Sequence, residues 1–137
     1  MYPSCTLEPV GIIRSSLLTP EEAPRQGREG APDAWLDVDP VYAPALLGIA
    51  EGDELIVVTW LDRADRTVLE VHPRGDPANP LTGVFATRSP HRPNPLGLHR
   101  VSVRSIHENR LRIGPIEAVD GTPVVDLKAV LAGSAEA

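Results

Sequence analysis

Short apolar segments separated by polar turns recur along the chain, and most of them alternate in polarity or are rich in β-branched residues. This pattern is typical of short strands rather than long helices. The continuous β-branched segment at residues 54–60 is expected to lie centrally in a sheet. The other predicted strands cover residues 11–14, 35–38, 67–72, 84–86, 101–107, 110–113 and 124–126.

The turns between these segments predict how the strands are joined. The polar turn at residues 62–66 predicts that the two strands beside it pair as a hairpin. A second hairpin is predicted across Glu108 and Asn109, because asparagine tolerates a positive φ. Asp120 and Gly121 mark a further turn before the last strand.

One segment, at residues 42–48, predicts a short helix, with a proline near its start, a leucine pair and a terminal glycine. The fold class predicted is therefore mostly all-β, a small antiparallel β-barrel with one or two short helices. The length of 137 residues fits a single domain spanning 1–137. The 15 prolines argue against a helical bundle, because a proline inside a helix costs about 3 kcal/mol.

Composition bears on the cellular compartment of the protein and on the metal sites that it can form. The single Cys5 cannot close an internal disulfide or build a thiolate zinc site, so a reducing, cytoplasmic setting is the default. The N-terminus does not resemble a signal peptide, and the most apolar stretch, residues 55–61, is too short to span a bilayer, so no membrane partner is expected. The four histidines show no close ligand spacing, and no metal is expected.

The charge of the chain is unevenly distributed. A formal net charge of -6 argues against a simple nucleic-acid binder. Between Asp76 and Glu108, however, the chain has no acidic residue. This basic segment contains Arg88, Arg92, Arg100 and Arg104, together with His91 and His99. Guanidinium groups suit directional contacts with carboxylates or phosphates, although each arginine taken alone is also consistent with a solvated surface.

The basic segment contains a proline-rich stretch at residues 85–97. Pro90, Pro93 and Pro95 alternate there with Arg88, His91, Arg92 and Asn94. Prolines restrict the backbone before any ligand arrives, which lowers the ordering cost of binding. The polar side chains between them are therefore candidate site residues, while a stiff connector across one end of a barrel explains the same composition.

The sequence ThrArgSerProHisArgProAsnProLeuGly at Thr87–Gly97 closely resembles the signature of the TsaA-like family, also called TrmO. Residues 11–15, 24–26 and 120–128 resemble further family motifs in the same order, so the resemblance covers nearly the whole chain. It implies a small β-barrel methyltransferase that uses S-adenosyl-L-methionine and works as a homodimer. The acceptor that it implies is tRNA, at N6 of threonylcarbamoyladenosine beside the anticodon.

The resemblance also implies a set of cofactor-binding residues drawn from four stretches of the chain. They are Pro24, Arg25, Gln26, Asp62, Arg63, Arg88, Leu98, Asp126, Leu127, Lys128 and Ala129. Two motifs depart from the family pattern. Asp62-Arg63 stands where many relatives have His-Gln, and Ala129-Val130 replaces a Pro-Tyr pair, which removes a rigid ring and an aromatic ring. The longer bacterial relatives also continue into an extra domain.

Methyl transfer from a sulfonium needs chiefly the positioning of donor and acceptor. Arg88 could hold the carboxylate of the donor, and Asp126 could lie near its sulfonium. A nitrogen acceptor must also lose a proton, and Asp62, Asp126 and His91 are the candidate bases, among which the sequence does not choose. Asn94 completes the candidate catalytic set. The chain has no Gly-x-Gly-x-x-Gly, so a Rossmann-type methyltransferase is not supported.

Two other functions fit the same residues. An N-methyltransferase for a small-molecule metabolite is favoured by the acidic net charge and the short chain, whereas the basic segment favours tRNA. A barrel that binds a nucleoside or RNA without catalysis is compatible with the two departures from the family pattern.

Overall fold

The computed structural model describes residues 2–25 and 30–131, and within them eight strands form a closed barrel and a separate two-stranded ribbon. The barrel contains six antiparallel strands in the order β1-β2-β7-β6-β3-β8, and β4 and β5 form the ribbon. The predicted mostly-β barrel is confirmed. The strands are β1 (Gly11–Arg14), β2 (Ala34–Val38), β3 (Glu54–Trp60), β4 (Glu70–Val71), β5 (Thr82–Gly83), β6 (Leu96–His107), β7 (Arg110–Gly114) and β8 (Pro123–Ala129).

The core fills the barrel with aliphatic side chains. Alternate residues of a strand point to the same face, so every second position of β3 turns inward, as Leu55 and Val57 do. The other strands supply further inward side chains in the same way, including Ile13, Leu36, Val101, Val103, Leu111, Ile113 and Val124. Closing the sheet on itself leaves none of its six strands as an open edge.

The central position of β3 is confirmed, but its predicted hairpin with residues 67–72 is wrong. Strand β3 lies between β6 and β8, whereas Glu70–Val71 pairs with Thr82–Gly83 in the ribbon. Both edges of β3 are taken by strands that are distant in sequence. The residues just before β4 are held in a turn, where the carboxylate of Asp65 accepts hydrogen bonds from the backbone N–H and the hydroxyl of Thr67.

The predicted strand at residues 84–86 is also wrong, because Val84–Ala86 forms a 3-10 turn. The carbonyl of Val84 accepts hydrogen bonds from the hydroxyl of Thr87 and from the guanidinium of Arg92, instead of from a neighbouring strand. Short 3-10 helices also lie at Pro20–Glu22 and Pro73–Gly75.

The helix predicted at residues 42–48 is present as a 3-10 helix at Pro40–Leu46, two residues earlier. Asp39 caps it, since its carboxylate accepts a hydrogen bond from the N–H of Val41. The helix contains Pro44, which has no N–H to donate and does not suit an α-helix interior. No helix among the described residues is both long and apolar enough to cross a membrane.

The hairpin between β6 and β7 is confirmed, with a different residue in the positive-φ position. Glu108 has a φ of 58°, whereas Asn109 donates through Nδ2 to the carbonyl of Val38 at 2.6 Å. The side chain of Asn109 therefore ties the hairpin to β2, and its neighbour adopts the left-handed backbone.

A β-bulge interrupts the pairing of β8 with β3. Val58 pairs with Asp126 and Thr59 pairs with Val124, so Val125 is an extra residue in β8. Val124 is fully buried, and strict alternation would turn Asp126 into the core as well. Because of the bulge, the side chain of Asp126 lies outside the barrel and is 53% exposed.

Candidate functional site

The loops after β1, after β3 and before β6 meet at one end of the barrel, which we call the signature end. The tight turn after β3 connects them. Arg63 donates through Nη1 to the carbonyl of Leu18 in the loop after β1, at 3.2 Å. On the other side of the turn, the backbone N–H of Asp65 donates to Nδ1 of His91 at 2.9 Å. The topology therefore gathers stretches that are far apart in sequence.

The signature loop, residues 87–95, is stiffened by Arg92 as well as by its prolines. The Nη1 atom of Arg92 donates to the carbonyls of Thr87 and Ser89 at 3.2 and 3.0 Å, and its Nη2 atom donates to the carbonyl of Val84 at 2.7 Å. These charge-assisted bonds join the 3-10 turn to the loop. The guanidinium of Arg92 therefore stabilises the conformation of the signature loop.

Asn94 anchors the far side of the signature loop. Its Oδ1 accepts a hydrogen bond from Nη2 of Arg66 at 3.1 Å, and Nε of Arg66 donates to the carbonyl of Pro93 at 2.7 Å. The same guanidinium lies 5.0 Å from the centre of the Trp60 ring. Arg66 thus holds the loop against the end of β3, which gives Asn94 a structural contact.

The structure distinguishes the three candidate bases. Nδ1 of His91 already accepts the N–H of Asp65. The carboxylate of Asp126 accepts the N–H of Leu127 at 2.9 Å and lies 3.5 Å from Nζ of Lys128. Asp62 is exposed in the turn after β3, and its carboxylate has no hydrogen-bond or ion-pair partner among the described residues.

Three of the residues named by the resemblance lie on the outer face of the barrel. Leu98 and Asp126 pair with Val58 from opposite sides, and Lys128 lies two residues further along β8. Leu98 is 45% exposed. An apolar side chain on β6 and a carboxylate and an ammonium group on β8 therefore flank β3 on the outer face of the barrel.

Leu127 and Ala129 do not join this group. They pair with the inward-facing Val57 and Leu55, and they line a cavity of about 440 Å³ that lies towards the other end of β3. The 3-10 helix at Pro40–Leu46 and the residues after it form another wall of that cavity. Alternation along β8 thus places these two side chains on the opposite face of the strand from Asp126 and Lys128.

Pro24 and Arg25 lie in the loop after β1, whereas Gln26 lies outside the described residues. Nη2 of Arg25 donates to the carbonyl of Arg74 at 2.9 Å. This contact brings in a segment that the sequence analysis did not single out. Arg74 has a φ of 59°, and beside it Nδ2 of Asn79 donates to the carbonyl of Pro73 at 2.7 Å.

The basic segment does not form one cationic patch, because most of its arginines are engaged by neighbouring groups. Arg100 bonds to Glu54 at 2.6 Å, and Arg104 lies 3.4 Å from Asp33. Arg92 serves the signature loop. Arg88 is exposed and has no hydrogen-bond or ion-pair partner among the described residues, so it is available to a ligand.

A buried polar network lies beneath the signature end. Nδ1 of His99 is 2.5 Å from Oε1 of Glu117, and its Nε2 is 2.7 Å from the hydroxyl of Thr59. Gly97 leaves room for this network, since a Cβ at Gly97 would lie 2.6 Å from the hydroxyl of Thr59. The network holds β3, β6 and the segment before β8 together. Its only sequence signal is a histidine at an inward position of a strand.

Among the described residues, no group of three or more histidine, cysteine, aspartate or glutamate side chains is arranged to hold a metal ion. The residues at the signature end instead include arginines, carboxylates and apolar side chains. Such a set suits an organic ligand that carries both charges.

Residues 12–134 match the family model described as the tRNA-methyltransferase O N-terminal domain. The chain is similar to an S-adenosyl-L-methionine-binding protein of Archaeoglobus fulgidus, with 40% identity over 122 residues, 89% of this chain and 86% of that protein. It is 45% identical over 97 residues to a probable S-adenosyl-L-methionine-binding protein of Methanocaldococcus jannaschii, covering 68% of this chain and 77% of that one.

Solved structures agree with the sequence comparisons. The crystal structure of TrmO from Pseudomonas aeruginosa superposes with a TM-score of 0.76 at 28% identity, covering 98% of this chain and 61% of the solved chain. A second TrmO crystal structure gives a TM-score of 0.77 at 29% identity, covering 100% of this chain and 61% of that one. The chain thus spans about three fifths of the length of these two solved proteins.

Proposed function

Because the chain belongs to the tRNA-methyltransferase O N-terminal domain family, we propose that it transfers the methyl group of S-adenosyl-L-methionine to tRNA. The acceptor is N6 of threonylcarbamoyladenosine beside the anticodon, and the reaction takes place in the cytoplasm. The family match over almost the whole chain carries this proposal. The names of the curated relatives support the choice of cofactor.

The residues of the signature end fit this cofactor. Its methionine part carries a carboxylate and an ammonium group, and its sulfur is cationic. Arg88 offers an exposed guanidinium for the carboxylate, and the outward carboxylate of Asp126 suits a cation. Leu98 offers apolar surface on β6, on the other side of β3 from Asp126. When bound, the cofactor supplies a methyl group on a sulfonium that is already a good leaving group.

The protein has two tasks in this reaction, to position the acceptor and to remove its proton. The stiff signature loop serves the first task, because little order remains to be gained on binding. For the second, we assign the carboxylate of Asp62 as the base that takes the proton from N6. His91 and Asp126 already accept backbone hydrogen bonds, whereas the carboxylate of Asp62 has no partner among the described residues.

The proposal includes a homodimer in which the partner subunit helps to close the site. A site built from exposed side chains around the end of a small barrel gains enclosure from a second copy. Light scattering on the purified protein should give twice the mass of the chain. A monomer that retains full methyl-transfer activity would contradict a shared site.

The test of the proposed function uses the purified protein with methyl-labelled S-adenosyl-L-methionine. One reaction contains bulk tRNA bearing threonylcarbamoyladenosine, and the other contains a small-molecule extract. Label on N6 of the modified nucleoside is the expected result, and Asp62→Asn should reduce the rate of transfer by a larger factor than it weakens binding of the cofactor. Label in the extract alone would instead identify a small-molecule methyltransferase.

Small-molecule methylation is favoured by one observation. Three of the four arginines in the basic segment are engaged within the protein, which leaves less positive surface for RNA phosphates.

Binding of the cofactor by calorimetry with no transfer to either acceptor would point to a binding protein without catalytic activity.

A further inference from the structure

Phe85 is an aromatic side chain held out in solvent. It is the only phenylalanine in the chain and is 83% exposed, although it follows the buried Val84. A phenyl ring in that position exposes a large apolar surface to water. A covering partner would therefore gain free energy from contact with Phe85.

The backbone beside Phe85 is held by hydrogen bonds on both sides of Val84. The N–H of Val84 donates to the carbonyl of Leu69 at 2.9 Å. Its carbonyl accepts Nη2 of Arg92 at 2.7 Å and the hydroxyl of Thr87 at 2.9 Å. Both peptide groups of Val84 are thus engaged, and Phe85 is presented from a stiff support before any ligand arrives.

The position of Phe85 relates it to the candidate site. Arg88, which the proposed function assigns to the cofactor, is three residues further along the same short segment. An acceptor must come within about 3–3.5 Å of the methyl group. An exposed ring on the same short segment as a residue assigned to the cofactor is therefore a candidate contact for the arriving acceptor.

We propose that Phe85 stacks against an unpaired base of the acceptor RNA and so helps to select a nucleoside acceptor. The inference rests on the proposed function. RNA-binding proteins commonly bind bases of single-stranded loops by stacking them on aromatic side chains. A phenyl ring offers stacking without a hydrogen bond of its own, so it orients the plane of the base and leaves the base edge to react.

Two other occupants would cover the same ring. A second copy of the chain would bury it together with Leu69 and Leu81, the exposed leucines just before the two ribbon strands. The adenine of the cofactor would also stack on it. Stacking requires an aromatic ring, whereas burial by a second copy requires only apolar surface, and this difference defines the experiment.

The experiment compares Phe85→Trp, Phe85→Leu and Phe85→Ala, with Leu69→Ala as the control for loss of a neighbouring exposed apolar side chain. The substrate is an anticodon stem-loop containing threonylcarbamoyladenosine. Its KM and kcat are measured together with the cofactor Kd by calorimetry, the mass by light scattering and stem-loop binding by fluorescence anisotropy.

We expect Phe85→Ala and Phe85→Leu to raise the KM for the stem-loop and weaken its binding about 5- to 150-fold, the range that loss of one base-aromatic stack gives. Phe85→Trp and Leu69→Ala should remain close to wild type. The cofactor Kd and the mass should not change in any variant.

Wild-type KM in Phe85→Leu would overturn the inference, because the ring would then be dispensable. A halved mass in Phe85→Ala would assign the ring to a second copy, and a weakened cofactor Kd would assign it to adenine. If the wild-type protein binds the stem-loop but does not methylate it, the proposed function fails while anisotropy still tests the stacking. If it does not bind the stem-loop, both fail.

Discussion

Nη2 of Arg92 donates a 2.7 Å hydrogen bond to the carbonyl of Val84, eight residues earlier in the chain. Together with the bonds from Nη1 to Thr87 and Ser89, this contact makes the 3-10 turn and the signature loop one unit. Arg88, four residues before Arg92, has no such partner among the described residues. Two arginines of one motif therefore have different tasks.

Matched substitutions should separate these two tasks. Arg92→Gln should lower the free energy of unfolding by about 1.5–3 kcal/mol, the contribution typical of a hydrogen bond from a charged group. Arg88→Gln should leave unfolding unchanged. It should weaken binding of S-adenosyl-L-methionine by about 30-fold or more, since losing one partner of a charge pair that the bound cofactor buries costs about 2–5 kcal/mol. Urea unfolding and calorimetry measure the two effects, and the reverse assignment would refute the distinction.

Variants at Asn94 test whether its side chain supports the signature loop or takes part in catalysis. Its Oδ1 accepts from Arg66, so Asn94→Asp keeps an acceptor for the guanidinium whereas Asn94→Ala removes it. We expect the aspartate variant to retain the melting temperature and the rate of methyl transfer, and the alanine variant to lose part of both. Inactive but stable Asn94→Asp would show that the amide N–H groups contact the substrate.

Gly97 tests the buried network. An added Cβ would lie 2.6 Å from the hydroxyl of Thr59 and 2.8 Å from Nε2 of His99. Gly97→Ala should therefore destabilise the fold by about 1–3 kcal/mol, as overpacking of a core does. Gly83→Ala is the control, because a Cβ at Gly83 meets no described atom within 4 Å. Equal urea midpoints for the two variants would contradict the packing described at Gly97.

The pKa of Asp65 provides a test near His91. The hydroxyl and then the N–H of Thr67 lower the pKa of the Asp65 carboxyl below its ordinary value by bonding to its charged form. The stability that this gives is present above the ordinary pKa and is lost as the pH falls through the lowered one. Thr67→Val should raise the pKa of Asp65 in a carboxyl NMR titration, whereas Thr67→Ser should preserve it. No shift in the valine variant would rule out the hydroxyl as the main cause.

Local pattern was sufficient for some strands and not for others. The β-branched residues of Glu54–Trp60 define a strand on their own, and its bounds agree with the structure. The hairpin predicted between residues 54–60 and 67–72 failed, although Glu70–Val71 is a strand, because alternation does not specify a partner. The choice of partner depends on β6 and β8, which compete for the edges of β3 from positions distant in sequence.

The candidate site shows the same limit. The prolines of the signature loop indicate its stiffness, but the role of Arg92 depends on where the carbonyl of Val84 points. Glu117 lies 18 residues from His99, and no short-range rule relates them. Spacing along β8 likewise could not place Asp126, since its orientation depends on one unpaired residue, Val125.

The bulge at Val125 also determines where the length of β8 can vary. Deleting Val125 would restore regular pairing and still leave Asp126 outside and Leu127 inside, because the extra residue has no partner on β3. A deletion at Leu127 would instead turn Lys128 into the apolar interior, where burying its unpaired charge would strongly destabilise the fold. Natural variants of this barrel that differ by one residue in this strand should therefore carry the insertion or deletion at the bulge.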